Sequence, residues 1–143
     1  AIQMTLTELN ENLREIYIEA YTEKEASEYI LRETAKELHG IFGSYLPDAT
    51  ERDFYDMEIG SASIMRGYMA HPCDGELTLE KKLRLFLTMS LRAYSVPKEE
   101  VEQVIRFVEG LDIREIAEQV MQKLFKALAM RYEFSLTGIV PEQ

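Results

Sequence analysis

Tryptophan is absent from the 143 residues, cysteine occurs once, histidine twice and proline four times. A single cysteine, Cys73, cannot form a disulfide within the chain, and the cysteine framework that staples small secreted domains is missing. No apolar run approaches the ~18 residues that a membrane-spanning helix needs. The first residues, Ala-Ile-Gln-Met-Thr, lack the basic start and apolar core of a signal peptide. The expectation is a cytoplasmic protein with no membrane partner. The chain opens on Ala1, which fits initiator removal before a small residue and a piece of a longer protein equally well.

Positive charge is also scarce. Lys and Arg total 16 against 26 Asp and Glu, a net charge of −10. A domain this acidic repels phosphate backbones, which argues against direct nucleic-acid binding. The short basic cluster Lys81, Lys82 and Arg84 adjoins Glu80 and reads as a solvated helix face.

Recognisable chemistry is missing too. There is no glycine-rich phosphate loop, P-loop or dinucleotide fingerprint, no Gly-x-Ser-x-Gly elbow and no His-Glu-x-x-His or Glu-x-x-His pair. No aspartate-rich magnesium motif appears either. The expectation is a non-enzyme without cofactor or metal. His71 and Cys73 form His-x-Cys in a loop, but zinc needs three or four ligands and none stands nearby in sequence. Asp74 and Glu76 work against a stabilised thiolate, so Cys73 reads as a plain loop cysteine.

What is present is helical periodicity. Leu6, Leu9, Leu13, Ile16, Tyr17, Ala20 and Tyr21 predict one amphipathic helix over about 5–21, with Thr5 and Glu8 as its capping box. Thr22 and Glu25 suggest a second box. The helix after it turns Ala26, Tyr29, Ile30, Ala35, Leu38, Ile41, Phe42 and Tyr45 inward, and Pro47 ends it. Thr50 caps a third helix with Asp53 in its first turn. Its inner face carries Phe54, Met57, Ile64, Met65, Tyr68 and Met69. Its small residues Gly60, Ser61, Ala62 and Ser63 invite close approach by a helix or a ligand.

His71 to Gly75 is a loop. A fourth helix runs from Thr78 to about Tyr94, apolar nearly all round. Pro97 suits the first position of a fifth. Gly110 ends that one, and Asp112 starts a sixth to about Phe134 with a broad apolar stripe. No segment alternates with the period of a strand. The fold class is therefore all-α: about six helices in one compact bundle, residues 1–143 forming a single domain with a frayed tail at 137–143.

Methionine and tyrosine, 7 and 8 residues, cluster on the early helices. Tyr17, Tyr21, His39, Met57, Met65, Tyr68, Phe86 and Met89 are the candidate walls of a pocket for an apolar or aromatic ligand; core packing is the competing reading. His39 equally suits a hydrogen-bonded position at a helix end. Arg66 suits a stem that packs with its head in solvent.

The stretches Leu13-Arg-Glu-Ile-Tyr17-Ile-Glu-Ala-Tyr21, Ser27-Glu-Tyr29-Ile, Asp53-Phe-Tyr-Asp-Met57-Glu-Ile-Gly60, Ile64-Met-Arg-Gly67-Tyr68 and Leu83-Arg-Leu-Phe-Leu-Thr-Met-Ser-Leu-Arg-Ala-Tyr94 stand in a familiar helix order. In order and texture the chain resembles the C-terminal part of TetR/AcrR-type regulators over most of its length. The resemblance implies a homodimer built on C-terminal helices and an unknown small-molecule effector held among the others. DNA would be contacted only through an N-terminal helix-turn-helix unit, for which nothing before Leu6 suffices. The dimer face it suggests is Leu91, Tyr94, Ile116, Val120, Leu124 and Leu128. A helical adaptor that binds protein and no small molecule is the alternative, and a helical enzyme with unrecognised machinery ranks third.

Overall fold

A computed structural model describes the backbone of residues 1–137 and the side chains of residues 1–130. Seven α-helices follow one another among the described residues: α1 (Ile2–Leu9), α2 (Glu11–Ala20), α3 (Lys24–Phe42), α4 (Glu51–Ala70), α5 (Leu79–Ala93), α6 (Lys98–Glu109) and α7 (Ile113–Thr137), with a 3₁₀ turn at Gly43–Tyr45. No strand is present among them. Of the frayed tail expected at 137–143, Thr137 still belongs to α7, and 138–143 lie outside the described residues.

The first expected helix is two. Asn10 adopts an extended backbone (φ −146°, ψ 117°), and its side chain accepts a hydrogen bond from the Leu13 N–H at 3.0 Å. Asparagine competes well with the helical backbone in this way and is a strong N-cap. Thr5 is no cap. It lies inside α1, fully buried, and its hydroxyl donates back to the Ala1 carbonyl at 3.1 Å. The cap of α3 shifts by one residue as well: the Glu23 carboxylate accepts from the Glu25 and Ala26 N–H groups. The Thr50–Asp53 capping box forms in full, and Thr78 and Asp112 cap α5 and α7. Pro97 sits at the N-cap of α6, one place earlier than expected.

Three apolar clusters hold the helices. Ala35, Phe54, Tyr94, Val96, Val101 and Ile105 join α3 and α4 to the end of α5 and to α6. Met4, Met69, Leu79 and Leu83 join α1, α4 and α5. Leu6, Leu13 and Ala117 fix the start of α7 against α1 and α2. Between α5 and α6, Ser95 takes a left-handed backbone (φ 59°) so that Val96 turns back into the core, with its N–H bonded to the Leu91 carbonyl at 3.1 Å. α3 packs mainly on α4, so only part of its apolar stripe is covered. Tyr29 (69% exposed) and Ile41 (62%) face outward, contrary to the inward placement their spacing suggests.

The basic cluster is not a solvated face. Lys81 and Arg84 are exposed, but Lys82 is 0% exposed. Its ammonium donates to the Glu8 carboxylate and, at 2.5 Å, to the His71 carbonyl. Glu8 also accepts from the Cys73 N–H at 3.0 Å and stands 3.7 Å from Arg14. This knot ties the 71–77 loop to α1 and α5.

Candidate functional site

On α4 the residues Phe54, Glu58, Ser61, Ala62, Met65 and Met69 recur every three or four positions, and this stripe faces α3 and α5. Phe54 and Met69 are sealed at its two ends. Between them the packing is loose and leaves a cavity of about 410 Å³ that is open to solvent on one side. α3 supplies Thr34, Glu37, Leu38 and Phe42 to its wall; α4 supplies Glu58, Ser61, Ala62 and Met65. α5 adds Phe86, Leu87, Ser90, Leu91 and Tyr94, and Gln3 and Tyr21 close the remaining side. Small side chains on both helices make the room: Ser61 and Ser90 meet hydroxyl to hydroxyl at 3.2 Å where α4 and α5 cross.

Glu58 is the unusual member. It is 5% exposed, and the Tyr94 hydroxyl donates to its Oε2 at 2.8 Å. Burial raises its carboxyl above the ordinary glutamate value, a push only partly offset by hydrogen bonds from Tyr94 and Ser61. The Tyr94 phenol is driven far above its usual value, first by burial and then by the Glu58 charge. Tyr21 is raised by burial and by the same carboxylate. Tyr94 is held rigidly: its ring stacks on Phe42 (5.2 Å, 6°) and on Phe54 (5.8 Å, 4°).

Of the expected pocket residues, Tyr21, Met65 and Phe86 meet in this cavity. Tyr17 lines an adjoining hollow of about 350 Å³, which shares Gln3, Tyr21 and Thr34 with the cavity. Tyr68 and Met89 lie on a separate surface hollow beside His71. Met57 packs against the α3–α6 core, and His39 sets its ring against Phe54 at 5.1 Å. Neither His39 nor Met57 belongs to the cavity lining. The expected pocket is thus divided among four places: the cavity, the hollow beside it, the surface hollow and the core.

Two expected dimer residues need correction. Tyr94 is 2% exposed inside its own domain and, with Leu91, lines the cavity, so the end of α5 has no such face to offer. Ile116 is half-buried, while Val120, Leu124 and Leu128 on α7 are exposed.

Glu58 and Ser90 are missed at the sequence level; Leu38 and Phe42 are expected to face inward and Ser61 to allow close approach, but none of the three is expected as a pocket wall. Glu58 carried a signal: a carboxylate four residues after Phe54 and seven before Met65, within an otherwise inward stripe.

A second cleft, of about 390 Å³, lies between α5, α6 and the start of α7, but its polar rim is already self-paired. Arg84 bridges Glu109 at 2.9 Å and Glu102 at 3.3 Å, and Arg114 faces Glu80 at 3.8 Å. Among the described residues no group of three or more His, Cys, Asp or Glu side chains is arranged to hold a metal, and no helix is long and apolar enough to cross a membrane. Burial and the neighbouring Glu8 push the Cys73 thiol up, away from the reactive thiolate. A buried carboxyl against a phenol is suited to binding a polar group in dry surroundings; no nucleophile with a base and an orienting partner accompanies it.

Comparisons with protein-family models, with curated proteins and with solved structures find no match to this chain.

Proposed function

We propose that this chain is the effector-sensing and dimerisation domain of a cytoplasmic transcriptional regulator of the TetR type. A small, largely apolar molecule occupies the cavity between α3, α4 and α5, and a separate unit carries DNA binding. The observation that supports this reading is the pocket itself: a partly open space, lined by Tyr21, Phe42, Phe86 and Met65, with the buried Glu58–Tyr94 pair to orient a guest. The stripe of small and aromatic residues on α4 and α5 coincides with the segments whose order resembles that family.

Its mechanism is a population shift. A guest that fits one spacing of α4 and α5 better than another moves the equilibrium toward that spacing, by no more than its difference in affinity. Coupling of this kind is typically ~1–3 kcal/mol. The turn at Ser95 joins the cavity wall at Tyr94 directly to α6, so a displaced Tyr94 is felt there.

The second reading, a helical adaptor, draws support from the exposed apolar face of α7, which equally suits a protein partner. Native mass spectrometry of the purified chain separates the two. The sensor reading expects a dimer at twice 16.6 kDa with a small adduct retained from the expression host or accepted from an added library. A monomer that takes up no small molecule, yet is captured with a protein, would replace it with the adaptor.

A further inference from the structure

The two internal carboxylates of this fold are treated differently. Glu8 is met by the buried ammonium of Lys82, with Arg14 at 3.7 Å. Glu58 is as deeply placed, but its partners are neutral hydroxyls, and among the described residues no cation pairs with it. A buried carboxylate without a counter-ion is costly to ionise, and the cost vanishes when a cation is supplied. Glu58 lacks that cation where the fold leaves space for one.

We propose that the cavity selects organic cations, an amine or quaternary ammonium whose charged end meets Glu58 and whose apolar body lies against Phe42, Met65 and Phe86. The inference rests on the cavity being the effector site. Three further observations carry it. The lining holds two carboxylates, Glu58 inside and the exposed Glu37, and no lysine, arginine or histidine, so an anionic guest meets only like charge. Tyr21, Phe42 and Phe86 contribute aromatic rings to the same wall, beside Tyr94, whose ring is stacked on Phe42 and Phe54, and ring faces attract cations most strongly where water is excluded. The chain's net charge of −10 raises the local concentration of cations at the mouth. At about 410 Å³ the cavity suits a single-ring amine with a short chain, near the small end of the ~300–1,000 Å³ range of ligand pockets.

The test is calorimetric titration of the full chain at low salt with three probes: benzyltrimethylammonium, its uncharged isostere neopentylbenzene, and the anion 4-phenylbutyrate. The ammonium is expected to bind about tenfold or more tightly than the isostere, and the anion not at all. Glu58→Gln keeps an acceptor for the Tyr94 hydroxyl and should erase the preference, the ammonium losing about tenfold or more in affinity. Glu37→Gln, at an exposed position, should weaken the ammonium by only about twofold to fivefold. If Glu58→Gln fails to fold, the wild-type preference and the Glu37→Gln shift decide alone. Equal or better binding of the hydrocarbon or the anion, or a preference that survives in Glu58→Gln, overturns the cation assignment and leaves the sensor reading intact. Binding of none of the three also overturns it. The sensor reading falls with it only if native mass spectrometry finds no adduct either.

Discussion

At the scale of single residues, two buried charges set the character of the interior. The Lys82–Glu8 pair was hidden in the sequence because Lys82 sits between the exposed Lys81 and the buried Leu83, and its partner is more than seventy positions away. No local pattern reports a contact of that span. Its energetic role is asymmetric. Lys82→Met leaves the buried Glu8 with only the longer Arg14 contact at 3.7 Å and the Cys73 N–H, and is expected to cost up to about 3–5 kcal/mol in urea unfolding. Adding Glu8→Leu should recover most of that loss. Arg84→Ala, which breaks two exposed pairs, should cost less than about 1 kcal/mol. The loss in Lys82→Met also depends on pH. Burial lifts the Glu8 carboxyl, but hydrogen bonds from Lys82 and the Cys73 N–H outweigh it, and the net shift is downward. A depressed carboxylate stabilises the fold above its unfolded value of about 4.3 and loses that effect as pH falls through its folded value. The gap between wild type and Lys82→Met should therefore be full at neutral pH and narrow in acid. A gap of constant size would mean that lost packing, and not the charge pair, is what the substitution removes.

At the scale of helices, what was legible is what is local. Capping at Thr50, Thr78 and Asp112 depends on residues three apart and reads directly from sequence. The break at Asn10 did not, because Leu6, Leu9, Leu13 and Ile16 keep helical spacing straight across it. The kink is decided by the Asn10 side chain and by the burial of α1 against α4, α5 and α7. The small residues of α4 divide in a way composition cannot show. Ser61 and Ala62 are buried in the crossing with α5, whereas a Cβ at Gly60 or Gly67 meets nothing within 4 Å. These two glycines weaken the helix and serve no close approach within the domain. Gly60→Ala and Gly67→Ala should each raise stability by about 0.5–1 kcal/mol through helix propensity alone. Thermal unfolding reads this. A loss of stability at either position would reveal a partner, another copy or another protein, whose surface comes close to α4 there.

At the scale of the whole molecule, the candidate site was legible in kind and misplaced in detail. Of the tyrosines and methionines expected in the pocket only Tyr21 and Met65 line the cavity, joined by Phe86, because single-helix spacing cannot tell which of two inward-facing stripes meets which neighbour. His39 and Met57 accordingly fell to the core, and Tyr68 and Met89 to the far side of the bundle. The opposite holds for α7, whose stripe is too broad for one neighbour in the sequence and remains uncovered in the fold. α7 packs on α1 through Ala117, and beyond that turn Val120, Leu124, Phe125 and Leu128 stay 38–44% exposed. Val120, Leu124 and Leu128 recur every four residues, so they form one continuous ridge. In the proposed dimer a second copy of α7 related by a two-fold axis would present the same ridge and cover it in an isologous contact, which closes and does not propagate. The dimer proposed here therefore rests on the exposed ridge of α7. The double substitution Val120→Glu/Leu128→Glu is expected to give monomers in sedimentation equilibrium, while the helical circular dichroism of the domain is kept. Phe107 on α6 is more exposed still, at 68%, and serves as the control: Phe107→Glu should leave the dimer in place. Dissociation by Phe107→Glu alone would move the interface to α6, and a wild-type chain that sediments as a monomer would remove the dimer from the proposal altogether.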